Sequence, residues 1–339
     1  MMDDFKNLST LPGTAEEKIW LEERLETLSV REEHVLAAAL TQQPPDNMAE
    51  AIDHLQSLDS YEVCFPAGNY EQLGAFYLRQ KTQLPDDVMP YVDLERFGQH
   101  YENAHPGLFI GNCYVSCPSR PIEFHSSENS PPLRDSDWSV KLKLASPNVP
   151  EGVWLRLPDH DGNMAENSSE VRLALDALQI GSLEDCTLLD ARCILPEAGN
   201  LMEQYDSITE LVRDGDNLGF VMEEQGQGED HWLEKFAAAL EYEDCRTLRF
   251  ALDISQNLHC YEWVPSEDLA ISAEGLLMDA GVPDELIYSG CIDLSGYKAH
   301  LLESAGYMQA SGETGYLLRN SREFIRDFTA QEQGGMTMQ

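Results

Sequence analysis

Val35-Leu-Ala-Ala-Ala-Leu40 returns about 200 residues later as Lys235-Phe-Ala-Ala-Ala-Leu240, and this repeated apolar run decides how the chain is read. At the same offset Leu58-Asp-Ser-Tyr-Glu62 answers Leu258-His-Cys-Tyr-Glu262, and Val92-Asp-Leu94 answers Ile292-Asp-Leu294. Between these blocks Glu71-Gln-Leu73 pairs with Glu267-Asp-Leu269, and Leu84-Pro-Asp-Asp87 pairs with Val282-Pro-Asp-Glu285, the small length differences falling in turns. Several blocks matching in one order point to an internal duplication.

Local signals give each copy its elements. Thr14-Ala-Glu-Glu17 and Ser29-Val-Arg-Glu32 are both capping boxes, in which the hydroxyl accepts from the third amide and the Glu reaches back. The first opens a helix with Leu21, Leu25 and Leu28 on one side. The second opens a helix with Val35, Leu36, Ala39 and Leu40 inward, which stops before Pro44-Pro45. Together they predict a helical hairpin with Glu16, Glu17, Glu22, Glu23, Glu26, Glu32 and Glu33 outward. Ser207-Ile-Thr-Glu210 repeats the capping signal. Tyr61–Phe65, Val153–Leu157, Thr187–Ala191 and Tyr261–Val264 read as short strands, and Ser169–Leu178 reads as a helix. The class is α+β: a chain of small acidic modules, each a short antiparallel sheet plus helical hairpins, internally duplicated and elongated.

Composition narrows the function. The chain of 339 residues holds 61 Asp plus Glu against 22 Lys plus Arg, a net charge of −39. That field has the wrong sign for direct nucleic-acid binding or for an anionic membrane surface. No apolar run is long enough to span a bilayer, and Met1-Met2-Asp3-Asp4-Phe5-Lys6 lacks a basic segment followed by an apolar one, so the expected location is cytoplasmic. Residues 201–245 carry 13 acids and 2 bases, yet also Ile208, Leu211, Val212, Phe220, Trp232 and Phe236, so this is a folded acidic module and not a disordered tail.

Chemistry-bearing motifs are absent. The 8 cysteines form no CxxC pair and read as free buried thiols. The 9 histidines include no HExxH, and there is no GxSxG and no P-loop. Asp159-His160-Asp161-Gly162 reads as a turn, Asp214-Gly-Asp216-Asn-Leu218-Gly219 as a loop lacking the later calcium ligands, and Gly226-Gln-Gly228 as no phosphate cradle. No catalytic residue, metal ligand or cofactor is expected.

The blocks Leu233–Glu241, Asn257-Leu-His-Cys-Tyr-Glu-Trp263, Val282-Pro-Asp-Glu-Leu286 and Ile292-Asp-Leu-Ser-Gly-Tyr297 resemble the ArdA antirestriction proteins of bacterial plasmids and transposons. Residues 151 to about 319 look like a whole family unit, and residues 16 to about 116 like its middle and last parts, including Val92-Asp-Leu-Glu-Arg-Phe-Gly98. The resemblance implies an elongated α+β protein, commonly dimeric, that mimics DNA in the binding cleft of Type I restriction-modification enzymes. Its partner would be the methyltransferase/specificity complex, and the protein would be a homodimer or, because it is duplicated, an intramolecular pseudo-dimer. B-DNA carries one charge per about 1.7 Å of axis, so this acid excess corresponds to roughly 65 Å of duplex. A different class, an acidic adaptor for a basic DNA-handling protein of a mobile element, fits the same charge.

The domain plan that follows is 1–117 for a partial copy (helical at about 14–45, sheet and helix at about 46–117), then a Pro-rich linker at 118–150. After it come a first module at 151–200, an acidic helical module at 201–245, a last module at 246–330 and a tail at 331–339. The acids expected on the partner face are Glu22, Glu23, Glu26, Glu32 and Glu33 in the first copy. In the second they are Glu203, Asp206, Glu210, Asp214, Asp216, Glu223, Glu224, Glu229, Asp230, Glu234, Glu241, Glu243 and Asp244.

Overall fold

The computed structural model describes residues 5, 7–81, 91–116, 140–159, 169–196, 198, 201, 204–226 and 231–329. Both capping boxes form as read. The Thr14 hydroxyl accepts from the Glu17 amide while the Glu17 carboxylate accepts from the Thr14 amide, starting α1 (Ala15–Leu25). Ser29 and Glu32 do the same at the start of α2 (Val30–Gln42). The expected hairpin is completed by a helix the sequence pass did not name, α3 (Met48–Gln56), capped by Asn47 and packed against α1 and α2. Trp20, Leu21, Val35, Leu36, Ala39, Ile52 and Leu55 close this core.

A 3-10 turn at Leu58–Ser60 leads into β1 (Glu62–Cys64), then α4 (Tyr70–Lys81), α5 (Leu94–Ala104), β2 (Gly107–Ile110) and β3 (Cys113–Ser116). The strands form an antiparallel sheet in the order β1-β3-β2, backed by Tyr70, Tyr77, Tyr101, Phe109 and Tyr114 in edge and tilted contacts. Next come β4 (Val140–Ala145), β5 (Val153–Leu157), α6 (Ser169–Ala177) and β6 (Thr187–Arg192), with sheet order β5-β4-β6. β4 is a buried strand inside the expected 118–150 linker, whose residues through 139 lie outside the described set.

The second copy runs α7 (Ile208–Gly226), α8 (Trp232–Tyr242), α9 (Leu248–Gln256), a 3-10 turn at Leu258–Cys260, and β7 (Tyr261–Pro265). It continues with α10 (Leu269–Asp279), α11 (Asp284–Ile287), α12 (Leu294–Ser304), β8 (Met308–Gln309) and β9 (Gly315–Arg319). Its sheet order, β7-β9-β8, repeats β1-β3-β2. α3 and α9, the two 3-10 turns, and α5 and α12 share their bounds once the repeat offset is applied, and Asp93 and Asp293 cap the last pair alike. The duplication is therefore one of topology as well as sequence. Asp214–Gly219, expected as a loop, lies inside α7: its glycines are buried where the helix meets α9, and packing overrides their low helical propensity.

Contacts divide the chain into two compact units, Met1–Asp137 with Lys141–Asp190, and Trp138–Val140 with Ala191–Gln339. The expected grouping of 151–200 with the second copy is not the one the contacts follow, because α6 and β5 pack on α2 of the first. Within the first unit α4 and α5 meet in backbone contact: a Cβ at Gly98 would overlap the Tyr70 carbonyl, and one at Gly74 would overlap that of Leu94. The position matching Gly98 in α12 is Lys298, a half-buried residue.

Gly98→Ala should therefore cost about 3 kcal/mol, since the obstructing atoms are backbone and the helices must separate. Lys298→Ala should stay within about 0.5 kcal/mol, both read by urea unfolding.

Candidate functional site

The expected partner face is acidic, so each carboxylate is judged by its exposure and by the cation that meets it. On α1 the exposed side is Ile19, Glu22, Glu23 and Glu26, opposite buried Trp20, Leu21 and Arg24. A helix rises about 1.5 Å per residue, so these three carboxylates fall within about 6 Å of axis, close to the charge density of duplex DNA. Glu22 makes one exposed pair with Lys18 at 3.8 Å, whereas Glu23 and Glu26 make no ion pair among the described residues.

In the second unit Asp206, Glu224 and Glu234 are likewise exposed without an ion pair among the described residues. Asp216 and Glu223 are half-buried. Glu210 is exposed but lies 3.1 Å from Arg249. Glu241 accepts from the Ser311 amide and hydroxyl, and Asp244 pairs with Arg246 at 3.0 Å, both at the surface. Glu203, Glu229 and Asp230 lie outside the described residues.

Two expected face acids are buried and a third is partly buried. Glu32 is fully buried: its carboxylate takes Arg24 at 2.5 Å, Arg156 at 3.1 Å and the Ser29 amide at 2.9 Å. Burial alone would raise its pKa, but the charges of Arg24, Arg156 and Lys141 outweigh that and hold it far below the ordinary carboxylate range. Asp214 is buried against Arg249 at 2.6 Å. Glu243 accepts from Arg319 at 2.5 Å and from the Tyr261 hydroxyl at 2.8 Å. A helical-face reading cannot find these, because Arg156 is 124 residues from Glu32 and Arg249 is 35 from Asp214. Glu33 is half-buried, and desolvation raises its pKa.

The sequence reading also missed acids. Asp59 takes Arg156 at 2.6 and 3.1 Å; burial pushes its pKa up, but Arg156 brings the net shift down. Glu170 is buried, with one oxygen accepting from Ser29 at 3.0 Å and the other without a partner among the described residues. Burial pushes its pKa up to about 8. Asp253, fully buried, accepts the backbone amides of Asp327, Phe328 and Thr329 and so anchors the segment after β9. Glu267, Asp279, Asp284, Glu285 and Glu303 add further exposed charge to the last module.

No family model, curated protein or solved structure matches this chain. The site is therefore read from its own chemistry. Arg24, Arg31 and Lys141 are buried, and Arg156 and Arg249 keep only 11% and 18% of their side-chain surface. Internal contacts thus take up a few of the 22 bases, while Lys18, Arg79, Arg96, Arg213 and Arg322 are among those that stay exposed, and the acid excess leaves carboxylates to dominate the outside. Among the described residues no group of three or more His, Cys, Asp or Glu could hold a metal ion, and no helix is long and apolar enough to cross a membrane. Cys64, Cys113, Cys186, Cys245 and Cys260 are free and buried, Cys193 is half-buried and Cys291 exposed. Burial pushes the Cys113 and Cys245 thiols up to about 12, which leaves them protonated.

The two buried glutamates should pull stability in opposite directions with pH. Glu32, depressed in the fold, contributes stability above the unfolded carboxylate range that is lost as pH falls toward its folded value. Glu32→Gln should cost about 3–5 kcal/mol at neutral pH by stranding its arginines. Glu170, raised in the fold, keeps a proton that the unfolded chain has released, so stability should fall between about pH 4.5 and 8, by at most ~1.4 kcal/mol per unit. Glu170→Gln should flatten that slope in chemical denaturation across the range; an unchanged slope would show that this carboxyl titrates normally.

Proposed function

We propose that this protein is a non-enzymatic antirestriction factor of the ArdA kind, a DNA mimic that occupies the DNA-binding cleft of a Type I methyltransferase/specificity complex and so protects an incoming mobile element. The observation that carries this reading is the acid excess at the surface, with Glu22, Glu23, Glu26, Asp206, Glu224 and Glu234 exposed on or beside helices while Arg24, Arg156 and Arg249 are held in internal pairs. A basic cleft that aligns Lys and Arg for phosphates meets carboxylates on a rigid scaffold instead, which gives electrostatic steering and charge-assisted hydrogen bonds. The two copies of one topology supply in a single chain what two subunits supply elsewhere, so the particle is read as a cytoplasmic pseudo-dimer. Sedimentation should then give the mass of one chain; two chains per particle would replace the pseudo-dimer with a homodimer.

One observation favours the adaptor reading. Ile271, Leu276 and Met278 on α10, with Leu286 and Tyr288 on and after α11, are exposed large apolar groups beside Asp279, Asp284 and Glu285. Such a face suits a partner that is basic and partly apolar, which duplex DNA is not.

Titration into a Type I methyltransferase core on labelled duplex separates the readings. A mimic displaces the duplex stoichiometrically and less well at higher salt; an adaptor binds the protein and leaves the DNA in place. Single neutralisations at Glu23, Glu26, Glu224 or Glu234 should each weaken displacement by less than about threefold, and the effect should accumulate when all are changed to Gln. Collapse on one substitution would point to a hot spot instead.

A further inference from the structure

In the first unit a cleft of about 620 Å³ opens between α5 and Tyr77 of α4. With about 3.6 residues per turn, Arg96, Phe97, His100, Tyr101, Ala104 and His105 fall on the side of α5 that lines it, while Glu95 and Glu102 fall on the opposite side. The helix thus sorts its side chains, Arg and His toward the cleft and Glu away from it. Among the described residues the one carboxylate in the lining is Asp93, which accepts from the Arg96 amide as the cap of α5.

Two features of the lining stand out. The Arg96 guanidinium makes no ion pair or hydrogen bond among the described residues, although the chain carries 61 acids against 22 bases. Beside it runs an aromatic column: the Tyr77 ring lies 5.2 Å from that of Tyr101, and Tyr101 stacks on His105 at 4.5 Å and 18°. Tyr101 is buried, whereas Phe97 and His105 are exposed in the cleft. The topology does not require Arg96 or His105, because the second copy builds the matching helix α12 with Gly296 and Ala305 in their places.

The chemistry of the lining selects the ligand. A cation would meet the Arg96 charge, a purely apolar molecule would strip that guanidinium of water without replacement, and a bare inorganic anion would leave the rings uncovered. We propose that this cleft binds a small planar aromatic anion, its charged group on Arg96 and His100 along one edge of α5 and its ring over Ala104, against Phe97 and the His105 end of the column. An imidazole offers an N–H donor in its neutral form as well as its charged one, and offset or edge contacts between rings add to the burial. Two sources offer that chemistry, a nucleoside monophosphate and an aromatic carboxylate. The site is independent of the DNA-mimic reading, and either can fail alone.

Calorimetry on the full chain, titrated separately with adenosine 5′-monophosphate and with 4-hydroxybenzoate, tests it. The expected result is saturable binding of one ligand per chain by at least one probe; the nucleotide alone binding identifies a phosphate ligand, and the benzoate alone binding identifies a carboxylate. Adenosine and phenol, which lack the charge, and inorganic phosphate and acetate, which lack the ring, should each bind at least about tenfold more weakly than the matching probe. Arg96→Gln should weaken binding by about tenfold or more, while Arg79→Gln, which removes equal charge from α4 outside the cleft, should change it by less than about twofold. Ala104→Trp fills the cleft without changing charge and should abolish binding, with circular dichroism confirming the fold. Equal losses from the two arginine variants, a ringless or uncharged control binding as tightly as its probe, retained binding in folded Ala104→Trp, or no saturation with either probe at about 10 mM would overturn the proposal.

Discussion

The Glu32 carboxylate holds the first unit in register. It caps its own helix at Ser29, ties α2 to α1 through Arg24, and ties both to β5 through Arg156. Arg156 in turn reaches Asp59 in the 3-10 turn before β1, so one guanidinium spans three parts of the chain. A buried ion network is seldom more stabilising than well-packed apolar groups, but each broken member strands a charge. Its value here is specificity: α2 can seat the β4–α6 module only where Arg156 meets Glu32. That seating leaves the acids of α1 on the outside.

The same arrangement shapes the surface charge. A chain with so few bases could scatter them outward and soften its own field. This one does so only in part: Arg24 and Arg156 turn inward to Glu32 in one unit and Arg249 to Asp214 in the other, while Arg79, Arg96, Arg213 and Arg322 are among those left exposed. Exposed pairs such as Lys18 with Glu22 contribute little, because water screens them and both side chains lose freedom. The carboxylates left over repel one another and destabilise the compact form. Salt screening relieves that repulsion, so the compact form gains stability as ionic strength rises.

What could be read in the sequence was local or repeated. The Thr14 and Ser29 boxes need only four residues each, and both formed; β5, β6 and α6 fell where their patterns placed them. The duplication was legible because matched blocks share one offset, which the bounds of α3 and α9 keep. The acidic face was legible only in part. Glu23 and Glu32 look alike in a helical pattern, and what separates them is burial of Glu32 between Arg24 of α1 and Arg156 of β5, a packing of elements that a single helical pattern does not contain. The assignment of β4 through β6 to the first unit escaped for the same reason, since it depends on the non-local contacts of α2.

The two copies share a topology and differ in how their last helices meet. Gly98 lets α5 approach α4 backbone to backbone, and the aromatic side chains around Tyr101 close over the sheet. At the matching place α12 carries Lys298, which has a side chain where Gly98 has none. α10 also lacks a wholly buried apolar side: Ile271, Leu276 and Met278 are exposed on it, and Leu269 and Ala273 alone are buried. The copies thus share the sheet order and the Asp93 and Asp293 caps, while the Ser29 box of α2 has no counterpart at α8 and the helix pair outside the sheet packs closely in one copy only. The more open pair leaves Ile271, Leu276 and Met278 at the surface beside Asp279, Asp284 and Glu285, so the second copy combines exposed apolar and acidic groups on one helix pair.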